Sequence, residues 1–192
     1  NDAPEARDTS ITTIEDYAID AQLHGYDIDG DDITFAIDVG PQHGDIDNFN
    51  SATGEFTYDP DVNYNGSDQF TFTVTDVTKL AQTGTVSITV TPVNDAPTAD
   101  DLAIETDEDT EVSDQVTGDD VDGDDLTFQV DQGPANGTLT AWDENTGEFS
   151  YLPDEDYNGD DQFTFVANDA AKELSAPATV SITINPINDD PE

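Results

Sequence analysis

The chain is 192 residues long, with 46 Asp and Glu against 3 Lys and Arg and a formal net charge of −43. Charge of that sign excludes nucleic acid and anionic membrane as natural partners. The absence of Cys removes disulfides, thiolate metal sites and cysteine nucleophiles, and no stretch approaches the ~20 apolar residues of a membrane-spanning helix.

In chain order, the apolar residues alternate with polar ones at period two, the signature of strands with one buried face. Weak segments at residues 11–14 and 17–23 come first. Ile33, Phe35 and Ile37 then face one way while Thr34, Ala36 and Asp38 face the other. Shorter runs follow at 44–49 and 54–58. The strongest come next: Phe70, Phe72 and Val74 against Thr71, Thr73 and Thr75, then Val86, Ile88 and Val90 against Ser87 and Thr89. From residue 94 the series begins again, with Leu126, Phe128 and Val130, Phe163 and Phe165, and Val180, Ile182 and Ile184. No amphipathic helix interrupts it.

The repetition is literal. Asn94-Asp95-Ala96-Pro97 restates Asn1-Asp2-Ala3-Pro4, and Asn188-Asp189-Asp190-Pro191 nearly restores the phrase. Asp27-Ile28-Asp29-Gly30-Asp31-Asp32 returns as Asp120-Val121-Asp122-Gly123-Asp124-Asp125, Gly54-Glu55-Phe56-Thr57-Tyr58 as Gly147-Glu148-Phe149-Ser150-Tyr151, and Tyr64-Asn65-Gly66 as Tyr157-Asn158-Gly159. A fixed period means a fixed structural unit. About seven strands in some 93 residues is the count and size of an immunoglobulin-like sandwich. The reading is therefore all-β: two tandem seven-stranded Greek-key sandwiches placed end to end, 1–93 and 94–192, with a joint around 91–97. A Pro on each side of that joint, Pro92 and Pro97, makes it short and stiff. Because residue 1 already lies inside the repeated phrase and no signal sequence opens the chain, it is expected to be a piece of a longer protein.

Of the acids, 35 are Asp and 11 are Glu. Asp favours turns and carries its carboxylate close to the backbone, where several can converge on one hard cation. Asp27, Asp29, Asp31 and Asp32 crowd around Gly30, and Asp120, Asp122, Asp124 and Asp125 around Gly123. An EF-hand does not fit, since Gly is fourth rather than sixth and a strand follows. The competing account of these turns is a solvated acidic loop in a salt-adapted protein. Asp45, Asp47, Asp100, Asp101, Asp114, Asp160 and Asp161 are read as solvated surface. His24 and His43 face Thr117 and Asn136 in the other copy, so neither is read as a ligand or catalyst, and no nucleophile elbow or phosphate loop is present. Tyr64 and Tyr157 are expected to fix corners through packing and a hydroxyl bond. Trp142, where the first copy has Phe49, is expected to cover a sandwich end rather than stack on a sugar.

Taken in order, Glu15-Asp16, the Asp-x-Asp-Gly-Asp-Asp turn, Tyr58-Asp59-Pro60-Asp61, Tyr64-Asn65-Gly66 and Val93-Asn94-Asp95-Ala96-Pro97 resemble the calcium framework of cadherin repeats. The likeness is greatest to the bacterial cadherin-like tandem repeats of large secreted, RTX-type surface adhesins, and it covers essentially the whole chain. The resemblance implies Ca²⁺ as the bound ion and an extracellular, bacterial cell-surface location. It implies a calcium-stiffened extender or adhesion module that is not an enzyme, contributing to adhesion and biofilm. Neighbouring repeats would be its partners, with polysaccharide or a second copy as the alternative.

Carried over by position, the resemblance implies a joint site from Glu15 and Asp61, Asn94 and Asp95, and Asp120, Asp122 and Asp169. Asp59 is a further candidate, although its counterpart is Leu152. Half-sites would be formed by Asn1, Asp2, Asp27, Asp29 and Asp76 at one end and by Glu108, Asp154, Asn188 and Asp189 at the other. Alternatively each acidic turn closes an ion within its own unit, using Asp31 or Asp32 and Asp124 or Asp125. The sequence leaves both arrangements open.

Overall fold

In the computed structural model, which describes residues 2–188, the chain forms two compact units, Asn1–Val93 and Asn94–Glu192. Each is an antiparallel-rich sandwich of one four-stranded and one three-stranded sheet. In the first unit the strands are β1 (Glu5–Arg7), β2 (Thr9–Ile14), β3 (Ile19–Gln22), β4 (His24–Tyr26), β5 (Ile33–Val39), β6 (Gly44–Asp47), β7 (Glu55–Pro60), β8 (Gly66–Asp76) and β9 (Ala81–Thr91). One sheet runs β2-β9-β8-β5, the other β3-β7-β6, and β1 pairs with β4 alone. Among the described residues of this unit, β2 alone runs parallel to its neighbour, β9.

The nine segments are seven strands with two breaks. Asp8 divides the first strand, whose halves β1 and β2 join different neighbours. Leu23 divides the second: its N–H leaves the ladder to bond the Gly54 carbonyl at 2.8 Å, and its side chain is buried. These breaks carry no hydrophobic signal, which is why the sequence pattern reads 17–23 as one run. That run also starts late, because Asp16 turns the chain with a φ of 61°.

The second unit repeats the arrangement with β10 (Thr98–Ala99), β11 (Leu102–Asp107), β12 (Val112–Gln115), β13 (Gly118–Asp119), β14 (Thr127–Gln132), β15 (Gly137–Trp142), β16 (Glu148–Pro153), β17 (Gly159–Asn168) and β18 (Ala178–Asn185). Its sheets are β11-β18-β17-β14 and β12-β16-β15, with β10 paired to β13.

The inward faces fill the space between sheets, as alternation dictates. In the first unit Phe56, Tyr58, Phe70, Phe72, Val74, Val86, Ile88 and Val90 form the core. Their counterparts in the second are Phe149, Tyr151, Phe163, Phe165, Ala167, Val180, Ile182 and Ile184. Even the ring geometry recurs: Phe56 and Phe70 meet edge to face at 5.2 Å, and Phe149 and Phe163 at 5.1 Å. Trp142 joins this cluster. Its ring meets Phe163 edge to face at 6.2 Å, and its indole N–H donates to the Phe128 carbonyl at 3.2 Å. Partly buried, it packs against the core, as expected.

One surface assignment is corrected. Asp161 is buried, as is its counterpart Asp68. The Asp161 carboxylate accepts N–H bonds from Ala135 at 3.0 Å, Asn136 at 2.9 Å and Gln162 at 2.9 Å, and the Tyr151 hydroxyl bond at 2.8 Å. Asp68 accepts from Gln42, His43, Gln69 and Tyr58 in the same way. Burial opposes ionisation of both carboxylates, yet the converging donors hold their pKa values below the ordinary Asp value. Burial, with the adjacent carboxylate, pushes Tyr58 and Tyr151 up.

The corner tyrosines behave as read. Tyr64 donates to the Ser67 carbonyl at 2.8 Å and Tyr157 to Asp160 at 2.9 Å. His43 stacks on Tyr64 with ring centroids 4.1 Å apart.

Candidate metal centre

In each unit the long final strand separates two acidic ends. β9 begins beside Asp76, where Ala81 pairs with Thr75, and finishes beside Glu15, whose N–H bonds the Thr91 carbonyl at 3.0 Å. Its 11 residues span roughly 35 Å.

At the first end the acidic turn between β4 and β5 folds around Asp27. One oxygen, Oδ1, accepts the N–H of Asp29 at 2.8 Å and of Asp31 at 3.5 Å, and the Gly30 N–H reaches the Asp27 carbonyl at 3.3 Å. Gly30 has a φ of 80°, a left-handed conformation that glycine adopts without the Cβ clash. The other oxygen, Oδ2, is buried with no hydrogen-bond partner. One carboxylate oxygen each from Asp27, Asp31 and Asp76 lies within 4.8 Å of the other two. Asp76 is buried at the end of β8 and is oriented by the N–H groups of Thr78 at 2.8 Å and Leu80 at 2.9 Å.

The second unit builds the same turn. Asp120 Oδ1 accepts from Asp122 at 2.9 Å and Asp124 at 3.3 Å, Gly123 has a φ of 79°, and Asp120 Oδ2 is again a buried acceptor without a partner. Asp169 is buried here. The Asn94 amide donates to its Oδ2 at 2.7 Å, and the Glu173 N–H to its Oδ1 at 2.8 Å. The Asn94 bond, foremost, holds the Asp169 pKa below the ordinary value. The Asp95 N–H bonds Asp122 Oδ2 at 2.8 Å, matching Asp2 N–H to Asp29 Oδ2 at 2.7 Å.

The opposite end of each unit is built around a buried glutamate. Glu15 and Glu108 are 1% and 4% exposed, and in each Oε1 accepts a 2.6 Å bond from the outgoing chain, from Val93 N–H and Ile187 N–H respectively. Oε2 accepts from the side-chain amide of Asn65 at 3.4 Å and of Asn158 at 3.0 Å. Asp61 and Asp154 lie exposed in the adjoining turns, where their carbonyls accept the N–H of Tyr64 and Tyr157.

The structure thus gathers Asp27, Asp31 and Asp76 into one group within the first unit, with Asp120, Asp124 and Asp169 on the matching elements of the second. Asp29 and Asp122 instead engage the backbone of Asp2 and Asp95. Glu15, Asp61, Glu108 and Asp154 belong to the other ends, Asp59 is exposed on β7 opposite Asp45, and Asn188 lies exposed beyond β18. Asn1 and Asp189 lie outside the described residues. Sequence reasoning missed the roles of Asn65 and Asn158, whose Asn-Gly context signals only a turn. It also missed Asp68 and Asp161, for which parity was an available signal: Asp161, Phe163 and Phe165 share one face.

The donor set is oxygen only, which suits a hard cation. Two ligands of one Ca²⁺ at about 2.3–2.6 Å can lie at most ~5 Å apart, and the Asp27–Asp31–Asp76 oxygens meet that limit.

The family model of the bacterial cadherin-like domain matches residues 1–92 and 94–186, and the chain belongs to that family. Such domains are adhesion and extender modules that work outside the cell. No curated protein matches the sequence. Among solved structures, domains EC1-2 of human protocadherin-24 match with a TM-score of 0.65 and 19% identity over all of both chains. Domains EC1-4 of Drosophila N-cadherin match with a TM-score of 0.64 and 18% identity over 96% of this chain and 50% of that one. At these identities the likeness is one of fold. An endo-fucoidan hydrolase of glycoside hydrolase family 107 aligns with a TM-score of only 0.41 and 22% identity, over 97% of this chain and 29% of its own.

Proposed function

We propose that this chain is a calcium-binding extender segment of a bacterial cell-surface adhesin, in which each cadherin-like unit takes up Ca²⁺ at its acidic turn. The observation that carries this reading is the pair of buried, unpartnered acceptors, Asp27 Oδ2 and Asp120 Oδ2, 93 residues apart in equivalent turns. An unsatisfied buried carboxylate oxygen is costly, and a cation is the ligand that would satisfy it. Two carboxylate charges about 4.8 Å apart repel by on the order of 3 kcal/mol at an effective dielectric near 20. An ion would turn that repulsion into folding stability.

In this reading Asp27, Asp31 and Asp76, with Asp29, hold an ion in the first unit, and Asp120, Asp122, Asp124 and Asp169 do so in the second. Asn94 and Asp95 contribute from the linker. Glu15 and Asp61, and Glu108, Asp154, Asn188 and Asp189, serve ions at the other ends, so that ions order residues 91–97 and stiffen the joint. Affinity in the range of extracellular modules, Kd about 0.1–1 mM, would leave the segment loose in a calcium-poor cytoplasm and firm after export.

Neutralising the ligands tests the reading, because loss of a ligand and loss of a repulsive charge act in opposite directions. Asp27→Asn with Asp120→Asn should raise the melting temperature in chelator and shrink the further rise on adding millimolar calcium. A variant that keeps the full calcium response would count against these turns as the site.

A further inference from the structure

We infer that Asn65 and Asn158 are positioning residues for the buried glutamates, a role beyond the turn that their Asn-Gly sequence explains. The inference rests on the calcium-binding reading above and concerns what prepares the second acidic end of each unit for the ion.

Glu15 and Glu108 are carboxylates that fold into near-complete burial without a cationic partner; the single ion pair among the described residues joins Arg7 and Glu5. Each instead receives one donor per oxygen. Oε1 takes the backbone N–H of the outgoing chain, and Oε2 takes the amide N–H of Asn65 or Asn158. A carboxylate fixed by a Lys or Arg would have its charge cancelled and its affinity for a metal lowered. A neutral amide orients the group and leaves its charge for a cation, and both oxygens keep lone pairs to offer.

The asparagine is also tied to the adjoining turn. Tyr64 N–H bonds the Asp61 carbonyl at 3.1 Å, the Tyr64 hydroxyl bonds Ser67, and Asn63 N–H bonds the Asp16 carboxylate at 2.9 Å. The second unit repeats this with Tyr157 N–H on Asp154 at 3.0 Å and Asp156 N–H on Asp109 at 3.1 Å. Asn65 thereby fixes the buried Glu15 relative to the turn that carries Asp61, and Asn158 does the same for Glu108 and Asp154. Recurrence of the same Glu–Asn pair at equivalent positions, with the same backbone bonds around it, argues against an incidental contact.

The test compares the whole chain with Asn65→Leu/Asn158→Leu, which keeps side-chain size and removes the donor, and with Asn158→Ser, which keeps a donor. Calcium binding is followed by calorimetric titration, and melting is followed in chelator and in 5 mM calcium chloride, a probe concentration on the order of ten times the expected Kd. Orientation of a ligand by its outer partner is commonly worth 10–100-fold in metal affinity. The Leu variant should therefore lose about tenfold or more at the glutamate-end sites and the Ser variant distinctly less.

A Leu variant with wild-type affinity would overturn the positioning role while leaving the calcium reading intact. A wild-type chain that takes up no calcium would overturn both. If the Leu variant is unfolded in chelator, Asn158→Ala, which also removes the donor, decides: an affinity for calcium weaker than both wild type and Asn158→Ser supports the role, and an unchanged one overturns it.

Discussion

Asp68 and Asp161 illustrate how a side chain can be acidic and yet structural. Each lies on the inward face of its strand, in step with Phe70 and Phe163, and spends its charge on three backbone N–H groups and a tyrosine hydroxyl. Removing one of them as Asp161→Ala would strand those donors in the interior and should cost about 1–3 kcal/mol in urea unfolding. Because the folded pKa values lie below the unfolded one, these groups stabilise the fold fully above about pH 4 and lose that contribution as pH falls through the folded values. Acid also relieves repulsion among the other carboxylates, so the measurable quantity is a difference. Below pH 4 the wild type should lose stability more steeply than Asp68→Asn/Asp161→Asn. Tyr58 and Tyr151 act with the opposite sign, since raised pKa values give stability that is present below about pH 10 and is lost above it. At this scale the sequence was only partly readable. The turn acids are legible because they cluster around a glycine, whereas Asp161 looks like its exposed neighbour Asp160 until strand parity is followed, and no local pattern joins Asn158 to Glu108, 50 residues away.

Among the elements, the strands with strict alternation, β5, β8, β9, β14, β17 and β18, stand where the hydrophobic pattern puts them, because burial of one sheet face and period-two geometry are the same statement. The short pieces β1, β4, β10 and β13 have too few residues to show a period. They exist because the first two strands of each unit change partners at Asp8 and Leu23 or their counterparts, a tertiary choice that local sequence does not encode. The acidic turns between β4 and β5 and between β13 and β14 are the elements on which the functional account depends. Their geometry needs Gly30 and Gly123 in the left-handed region, with open space around an added Cβ. Gly30→Ala or Gly123→Ala should therefore act through backbone strain alone, about 1–2 kcal/mol, and should weaken calcium binding by opening the Asp27 or Asp120 turn. Chemical unfolding with and without calcium checks this: the loss of stability should be larger with calcium present than in chelator.

For the whole molecule, the family match over residues 1–92 and 94–186 agrees with the repeat legible in the sequence. The same repetition is why two independent copies of one site can be compared within a single chain. A net charge of −43 disfavours any compact state, and the proposed role follows from how that charge is offset. Diffuse screening by salt would act on exposed carboxylates everywhere, whereas an ion held by Asp27, Asp31 and Asp76 would act at a point and at far lower concentration. The most direct measurement is the melting temperature in chelator, in millimolar calcium chloride, and in sodium chloride of the same ionic strength. The account predicts a marked rise with calcium and almost none with sodium; equal melting temperatures in the two salts would contradict it.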